Sequence, residues 1–376
     1  MLTREDVTLM AERAMLGALL VDPAPFRELD AWVRGTDITE PWHRQVWVSM
    51  REAHLAASPA DAVSLGMHML HRYGPRVADL PRLHLLLHDA PRDPDPRPHA
   101  RIVVDAGVRR DVDGQGILLR ATALEAAMSH EGRPLRSALR IAGAAVLIAC
   151  ERWADANGEV TERLTDQLPA RLRAGADDLE LRRVADKFVA DYPGIDLAEV
   201  GRDEQRLVAS LATHPTAISP TVAWMRPDQV TNRPWATVYS ALAQLAAGGR
   251  TIAPTTVAMA TVRIARDSGV APSLPALINT IENERASVPG HLRQVVAGDH
   301  LRLVAAQGTE ALHEGVTSPD VPIADLLQTA TALLHRMQHL SSALPDQIDV
   351  GVRGRRGAWQ IDPPAAGPTR EGPAAR

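Results

Sequence analysis

RPHARIVVDAGVRR occupies residues 97–110 and PGHLRQVVAGDHLR occupies residues 289–302. His99 and His291, Arg101 and Arg293, the Val pairs 103–104 and 295–296, and Arg110 and Arg302 hold matching places. One chain writes the same segment twice. Sliding the sequence by 192 positions extends the match: Glu12 falls on Glu204, Pro23 on Pro215, Trp32 on Trp224, Thr39 on Thr231, Val46 on Val238 and Gln115-Gly116 on Gln307-Gly308. Trp and His coincidences at a constant shift are rare by accident, so the pattern reads as an internal duplication.

Composition sets the fold class. Of the 376 residues 45% are hydrophobic but only 3% aromatic, so Leu, Val, Ala and Met must build the core. Ala and Leu mixed with Arg and Glu lose little rotamer freedom in helices, and β-branched runs bounded by hairpin turns are scarce. The expected fold is all-α. Met15, Leu16, Leu19 and Leu20 make one helical stripe, and Leu207, Val208, Leu211 and Ala212 make its counterpart. Pro23 and Pro215 end these helices. Acidic residues near the starts, Glu5 and Asp6 in one and Asp203 and Glu204 in the other, suit the positive end of a helix dipole.

Within each half the same order is expected. A first helix leads to a segment carrying Trp32 or Trp224, then a helix around PWHRQVWVSMREAHLA or RPWATVYSALAQLAA. Two shorter helices follow, opened by DAVSL and LPRLHLLLHDA in one half, APTTV and LPALINTIENERA in the other. A long helical stretch comes next, and a further helix follows the turns at 131–134 and 318–322. The predicted division is 1–157 and 201–343 for two tandem domains, each a small head plus a long hairpin. Residues 158–200 form a helical linker, and residues 344–376 a disordered tail poor in groups to bury.

Several function classes drop out. Lys187, in Asp186-Lys187-Phe188, is the only lysine. A P-loop needs Lys directly before Ser or Thr, so the chain has none. A Schiff-base lysine falls by the same count. Cys150 stands alone in an apolar helical run, which excludes an intramolecular disulfide framework and suits a reducing compartment. No run approaches the ~20 apolar residues of a membrane span, and the start, MLTREDVTLMAER, is unlike a signal peptide. His84 and His88 stand four apart, but Leu85 replaces the Glu that a zincin motif requires. His68 with His71 reads as a polar pair on the surface of a helix, and His99 and His291 as the openings of long helices. The tryptophans are assigned to the cores of the heads. No catalytic residue, cofactor or metal ligand set is expected.

Residues AERAMLGALLVDPAPF (11–26), PWHRQVW (41–47), DAVSL (61–65) and HARIVVDAGVRR (99–110), in that order, resemble the N-terminal domain of DnaB-type replicative helicases. The resemblance covers about residues 8–130, and more faintly 201–340, where Trp235-Ala236 replaces His43-Arg44. It implies an all-helical head followed by a helical hairpin. In that family hairpins of neighbouring subunits pack in pairs, build the collar of the ring and dock primase, and the domain performs no chemistry. The family places an ATPase motor after this domain. Here a second collar-like unit stands in that place without the lysine, so helicase activity from this chain alone is not expected.

The expected role is that of a non-enzymatic interaction module of DNA replication in the bacterial cytoplasm. The expected partner is a replicative helicase or primase, with self-association through the hairpins. Candidate partner-binding residues are Arg101, Arg109, Arg110 and Arg120 on the first long helix and Arg293 and Arg302 on the second. A second reading uses these arginines, with Arg353, Arg355 and Arg356, to bind DNA backbone directly. The net charge of −5 argues against it.

Overall fold

The computed structural model describes residues 3–58, 61–92, 95–159, 162–176, 179–192 and 194–346. The described chain is all-α. Its helices are α1 (Arg4–Val21), α2 (Phe26–Leu29), α3 (Pro41–Leu55), α4 (Ala62–Tyr73), α5 (Leu80–His88), α6 (Arg97–Ser129) and α7 (Arg133–Ala156), then α8 (Ala170–Ala176) and α9 (Leu179–Ala190). They are followed by α10 (Leu197–Thr213), α11 (Ile218–Val222), α12 (Arg233–Ala247), α13 (Pro254–Ser268), α14 (Leu274–Asn283), α15 (Pro289–Thr317) and α16 (Ile323–Ser341). Among the described residues no helix is long and apolar enough to cross a membrane.

The order from α1 to α7 returns from α10 to α16. The starts of α3 and α12, of α4 and α13, and of α6 and α15 are each 192 positions apart, as are the 3-10 turns at Gly35–Asp37 and Pro227–Gln229. Local chemistry sets these boundaries. Thr3 and Asp6 form a capping box on α1, Asp61 caps α4, Asp79 caps α5 and Ser273 caps α14. Gly74 and Gly269, at φ +81° and +73°, close α4 and α13 in a conformation that costs glycine nothing.

Five short helices make each head, and a long antiparallel pair, α6–α7 or α15–α16, makes each arm. Trp32, Trp42, Trp47, Trp224 and Trp235 are all buried in one continuous core that runs through both halves. Polar ties join head to arm. Arg152 on α7 pairs with buried Asp37 and donates from Nε to the Trp32 carbonyl at 3.0 Å. In the second half His339 Nε2 on α16 hydrogen-bonds the Trp224 carbonyl at 2.9 Å.

A second kind of tie is a wholly buried carboxylate. Glu12 and Glu204 are both 0% exposed. Glu12 accepts from the Thr39 and Glu40 amides at 2.5 and 3.3 Å, and Glu204 from the Thr231 and Asn232 amides, both at 2.9 Å. These are the amides just ahead of α3 and α12, so each glutamate pins the first helix of its head to the start of the third. Each carboxylate also receives an imidazole, but from different helices. His43 Nδ1 on α3 meets Glu12 at 2.9 Å, whereas His300 Nε2 on α15 meets Glu204 at 2.7 Å. The sequence reading of Asp203 and Glu204 as acids near a helix start is therefore corrected. α10 begins at Leu197, and Glu204 lies mid-helix on its buried face.

The linker is more than a connector. α9 lies along α6, where Phe188, Val189 and Ala185 meet Ile117, Leu118 and Ala121, and α8 lies along α7, where Ala176 and Leu168 meet Ala145 and Ile148. Of the expected tail, residues 347–376 lie outside the described residues. The chain before them is packed, with Leu344 buried and the Pro345 carbonyl accepting from the Gly132 amide at 2.8 Å.

Two acids of the second half, Glu204 fully buried and Asp299 partly so, give opposite pH dependences. Burial alone would raise Glu204, but hydrogen bonds from His300 and from the Thr231 and Asn232 amides outweigh it and hold the carboxyl below its ordinary value. Its contribution is present above the unfolded carboxylate pKa and fades as pH falls. Burial, reinforced by Asp203, pushes Asp299 up to about 6. Its native form binds the proton more tightly than the unfolded form, so stability is lost as pH rises from about 4 to about 6. Asp299→Asn should raise stability at pH 7.5 by about 1–2 kcal/mol and give no gain at pH 4, as read by urea unfolding at the two pH values.

Candidate interaction interface

α6 and α15, the two long first arms, make the most extensive helix contact in the molecule. They run antiparallel. Arg109 meets the Gly315 carbonyl, Asp113 meets His313, Gly116 meets Thr309, and Ala127 meets Gly298, so contacts step forward on α6 and backward on α15. The 192-residue shift carries Gly116 to Gly308 and Thr309 to position 117. The register is that of an antiparallel pair, but the packing is not two-fold: Gly308, the counterpart of Gly116, faces Leu333 of α16, and Ile117, the counterpart of Thr309, packs with Phe188 of α9. α7 packs on α16, completing a bundle of four long helices.

Small residues bring the arms together. A Cβ on Gly298 would lie 3.1 Å from the Ala127 Cα, and one on Gly116 would lie 3.3 Å from a Leu312 methyl. Thr309 Oγ1 donates to the Gly116 carbonyl at 3.1 Å across the crossing. In the first half, the repeated Gln-Gly pair of the sequence therefore sits at the centre of the seam.

The candidate arginines do not converge on one patch. Arg109 is 4% exposed and its guanidinium spans the two halves, donating to the Gly315 carbonyl at 2.9 Å and the Val321 carbonyl at 2.6 Å while Nε meets Asp105 at 3.0 Å. Arg4 donates to the neighbouring Val316 carbonyl at 2.8 Å. Carbonyls of a last helical turn have no partner within the helix, so two arginines of the first half cap α15 of the second. Arg101 donates to the Ala156 carbonyl at 2.7 Å and so caps its own hairpin partner α7. Arg110 reaches the Thr36 and Asp37 carbonyls of the first head. Arg120 is exposed on α6. Arg293 is half-buried with Nε lacking a hydrogen bond, and Arg302 lies 3.9 Å from Asp299.

Other singled-out residues fall apart as a site. His84 and His88 are exposed on α5, and His68 pairs with Glu52 at 3.0 Å. His291 opens α15 and faces His130, edge to face with ring centres 6.2 Å apart, while His99 lies in the first turn of α6. Burial, then Glu151, raises the Cys150 thiol above its ordinary value and keeps it protonated. Among the described residues no group of three or more His, Cys, Asp or Glu side chains could hold a metal ion. A shallow cavity of about 340 Å³ opens at the junction, lined by Arg4, Asp105, Arg109 and Trp153 of one half and Pro319–Ala324 of the other. Its polar groups are the capping arginines and their partners. What the described side chains assemble is a set of packing surfaces.

Arg109→Leu would strand two carbonyls at the end of α15 and beyond it, together with Asp105, and should cost about 2–4 kcal/mol in urea unfolding. Arg120→Ala, on the open face of the same helix, should stay within about 0.5 kcal/mol of the parent. Because one core spans both halves, both proteins should lose near- and far-ultraviolet circular dichroism in one coincident transition.

No curated protein and no solved structure matches the chain. Residues 5–105, the first head and the opening of α6, match the family model described as the DnaB-like helicase N terminal domain.

Proposed function

We propose that the chain carries two tandem collar-like units and acts as a non-enzymatic interaction module of DNA replication, engaging a replicative helicase or primase as loader, adaptor or inhibitor in the bacterial cytoplasm. The observation that carries this reading is the match of residues 5–105 to the DnaB-like helicase N terminal domain. The recurrence of helix boundaries at a 192-residue shift supports the second unit.

The arms support a physical mechanism. A lone two-helix hairpin leaves one apolar stripe uncovered and must find another layer to bury it. In the helicase collar the covering hairpin belongs to a neighbouring subunit. Here α15–α16 cover α6–α7 within one chain, so a collar-like pair forms without a second molecule. Such a module presents the outer surface of a collar pair while its seam is already satisfied. Arg101, Arg109 and Arg110 hydrogen-bond protein carbonyls, which favours a protein partner over DNA backbone.

Size-exclusion chromatography and pull-down with purified replicative helicase and with primase test the proposal. A complex with at least one at micromolar concentration is expected, with no ATP turnover by the chain itself. Failure to bind either would overturn it. A salt-sensitive shift of labelled DNA in place of protein binding would install the DNA reading.

A further inference from the structure

Each head turns outward an apolar stripe that no other described element covers. On α4, Val63, Met67 and Leu70 follow one another at i, i+4 and i+7, and Met67 is 59% exposed. On α13, Met259 and Val262 stand 192 positions after Met67 and Leu70, and Met259 is 76% exposed. Leu80 widens the first stripe: a Cβ on Gly66 would lie 2.4 Å from a Leu80 methyl, so this side chain lies over α4 beside Met67.

Recurrence makes the stripe informative. Elsewhere the surfaces of the two heads differ freely; Arg51 and His54 on α3 are answered by Ala243 and Ala246 on α12. Exposed Met and Leu carry a solubility penalty, so the same outward methionine in both heads calls for a ligand that covers it. Methionine adapts its shape to a partner, and a stripe at helical spacing fits an amphipathic helix laid alongside.

Charge selects the kind of helix. In a chain of net charge −5, α4 (residues 62–73) contains no Asp or Glu, and α13 (254–268) contains one, Asp267, in its last turn. His71 and Arg263, each four residues beyond its methionine and so on the same face, are both exposed, and Arg72 and Arg266 are exposed beside them. The apolar stripe is thus rimmed by base. A partner ridge flanked by Lys or Arg would be repelled, and one flanked by Asp or Glu attracted.

We propose that α4 and α13 are twin docking faces, each taking an acidic amphipathic helix of a partner protein. The proposal rests on the reading of the chain as a replication interaction module and supplies the chemistry of its partner. Two equivalent faces in one chain let a two-armed partner bind with gain from linkage, or two single-armed partners bind at once.

The test titrates two synthetic peptides into the full chain carrying carbon-13 methyl methionine. One has Leu at helical spacing flanked by Glu; its twin has Lys for every Glu. The acidic peptide should bind two sites with Kd on the order of micromolar and shift the Met67 and Met259 methyl signals. Met67→Glu and Met259→Glu, both at exposed positions, should each remove one site while circular dichroism stays unchanged. The Lys twin should bind about tenfold more weakly or worse. No saturation by millimolar peptide, equal affinity for the twin, or silent Met67 and Met259 signals would overturn the proposal. The two readings can fail separately. If the double variant still captures helicase or primase, the docking faces fall and the module stands; if the parent captures neither yet binds acidic peptide at both methionines, the faces stand and the replication reading falls.

Discussion

The structure depends on the close antiparallel crossing of α6 and α15. Two long helices meet where side chains are small, Gly116 against Thr309 and Gly298 against Ala127. The crossing sets α6 against α15 and α7 against α16, so the apolar stripes of both hairpins are covered at once. Arg109 and Arg4 then find open carbonyls at the end of α15 within reach. These arginine contacts exist only once the halves have docked. A buried guanidinium is costly unless its donors are taken, which ties the register of the crossing to the positions of two carbonyls more than 200 residues away in sequence.

The buried glutamates show a physical requirement that both halves share. A carboxylate at Glu12 or Glu204 organises the amides ahead of the third head helix, and losing it would leave those amides without acceptors. The carboxylate in turn needs a donor beside the amides, and either neighbouring helix can supply it. The first half uses His43, where the second has Trp235. The second uses His300, where the first has Val108. Each half fills the unused position with an apolar side chain, and Val108 and Trp235 are both buried. The physical requirement is the same in both halves, and its supplier sits on α3 in one and on α15 in the other.

This explains how much of the molecule was legible in the sequence. Helix order, the head-and-arm plan and the repeat shift were readable because they rest on local periodicity, caps and breaks, and the helix starts agree with the shift to the residue at α3, α4 and α6. Trp32 and Trp224 were readable as core because they recur among apolar neighbours. The glutamate and histidine ties were not, since Glu12 and His43 look like ordinary polar helix residues until two helices are placed side by side. Nor could the sequence separate Arg109 from Arg110. Adjacent on one helix, they point about 100° apart, one into the seam and one toward the first head. The repeated Gln-Gly pair was visible as a repeat, but its meaning as a crossing point emerges only with the partner helix beside it.

The two halves share helix order but differ on the outside of their first long arms, where the linker lies on one of them. On the first hairpin Leu118 and Ala121 of α6 and Ala145 and Ile148 of α7 face outward and are covered by α9 and α8. The repeat shift carries Leu118 to Glu310, exposed on α15, and Ala121 to His313, whose Nδ1 meets Asp113 of α6 at 3.1 Å at the rim of the seam. α6 is apolar where α9 lies along it, and α15 carries polar groups at the corresponding places. The polar ends of the strap agree: Glu151 accepts from the Thr165 amide at 2.9 Å, and Gln115 donates to the Ala176 carbonyl at 3.2 Å. The difference is confined to α6 and α15: the shift carries Ala145 and Ile148 of α7 to Met337 and Leu340 of α16, which are apolar and buried in the main core. The asymmetry of the first long arms therefore lies where the path of the chain between the halves runs.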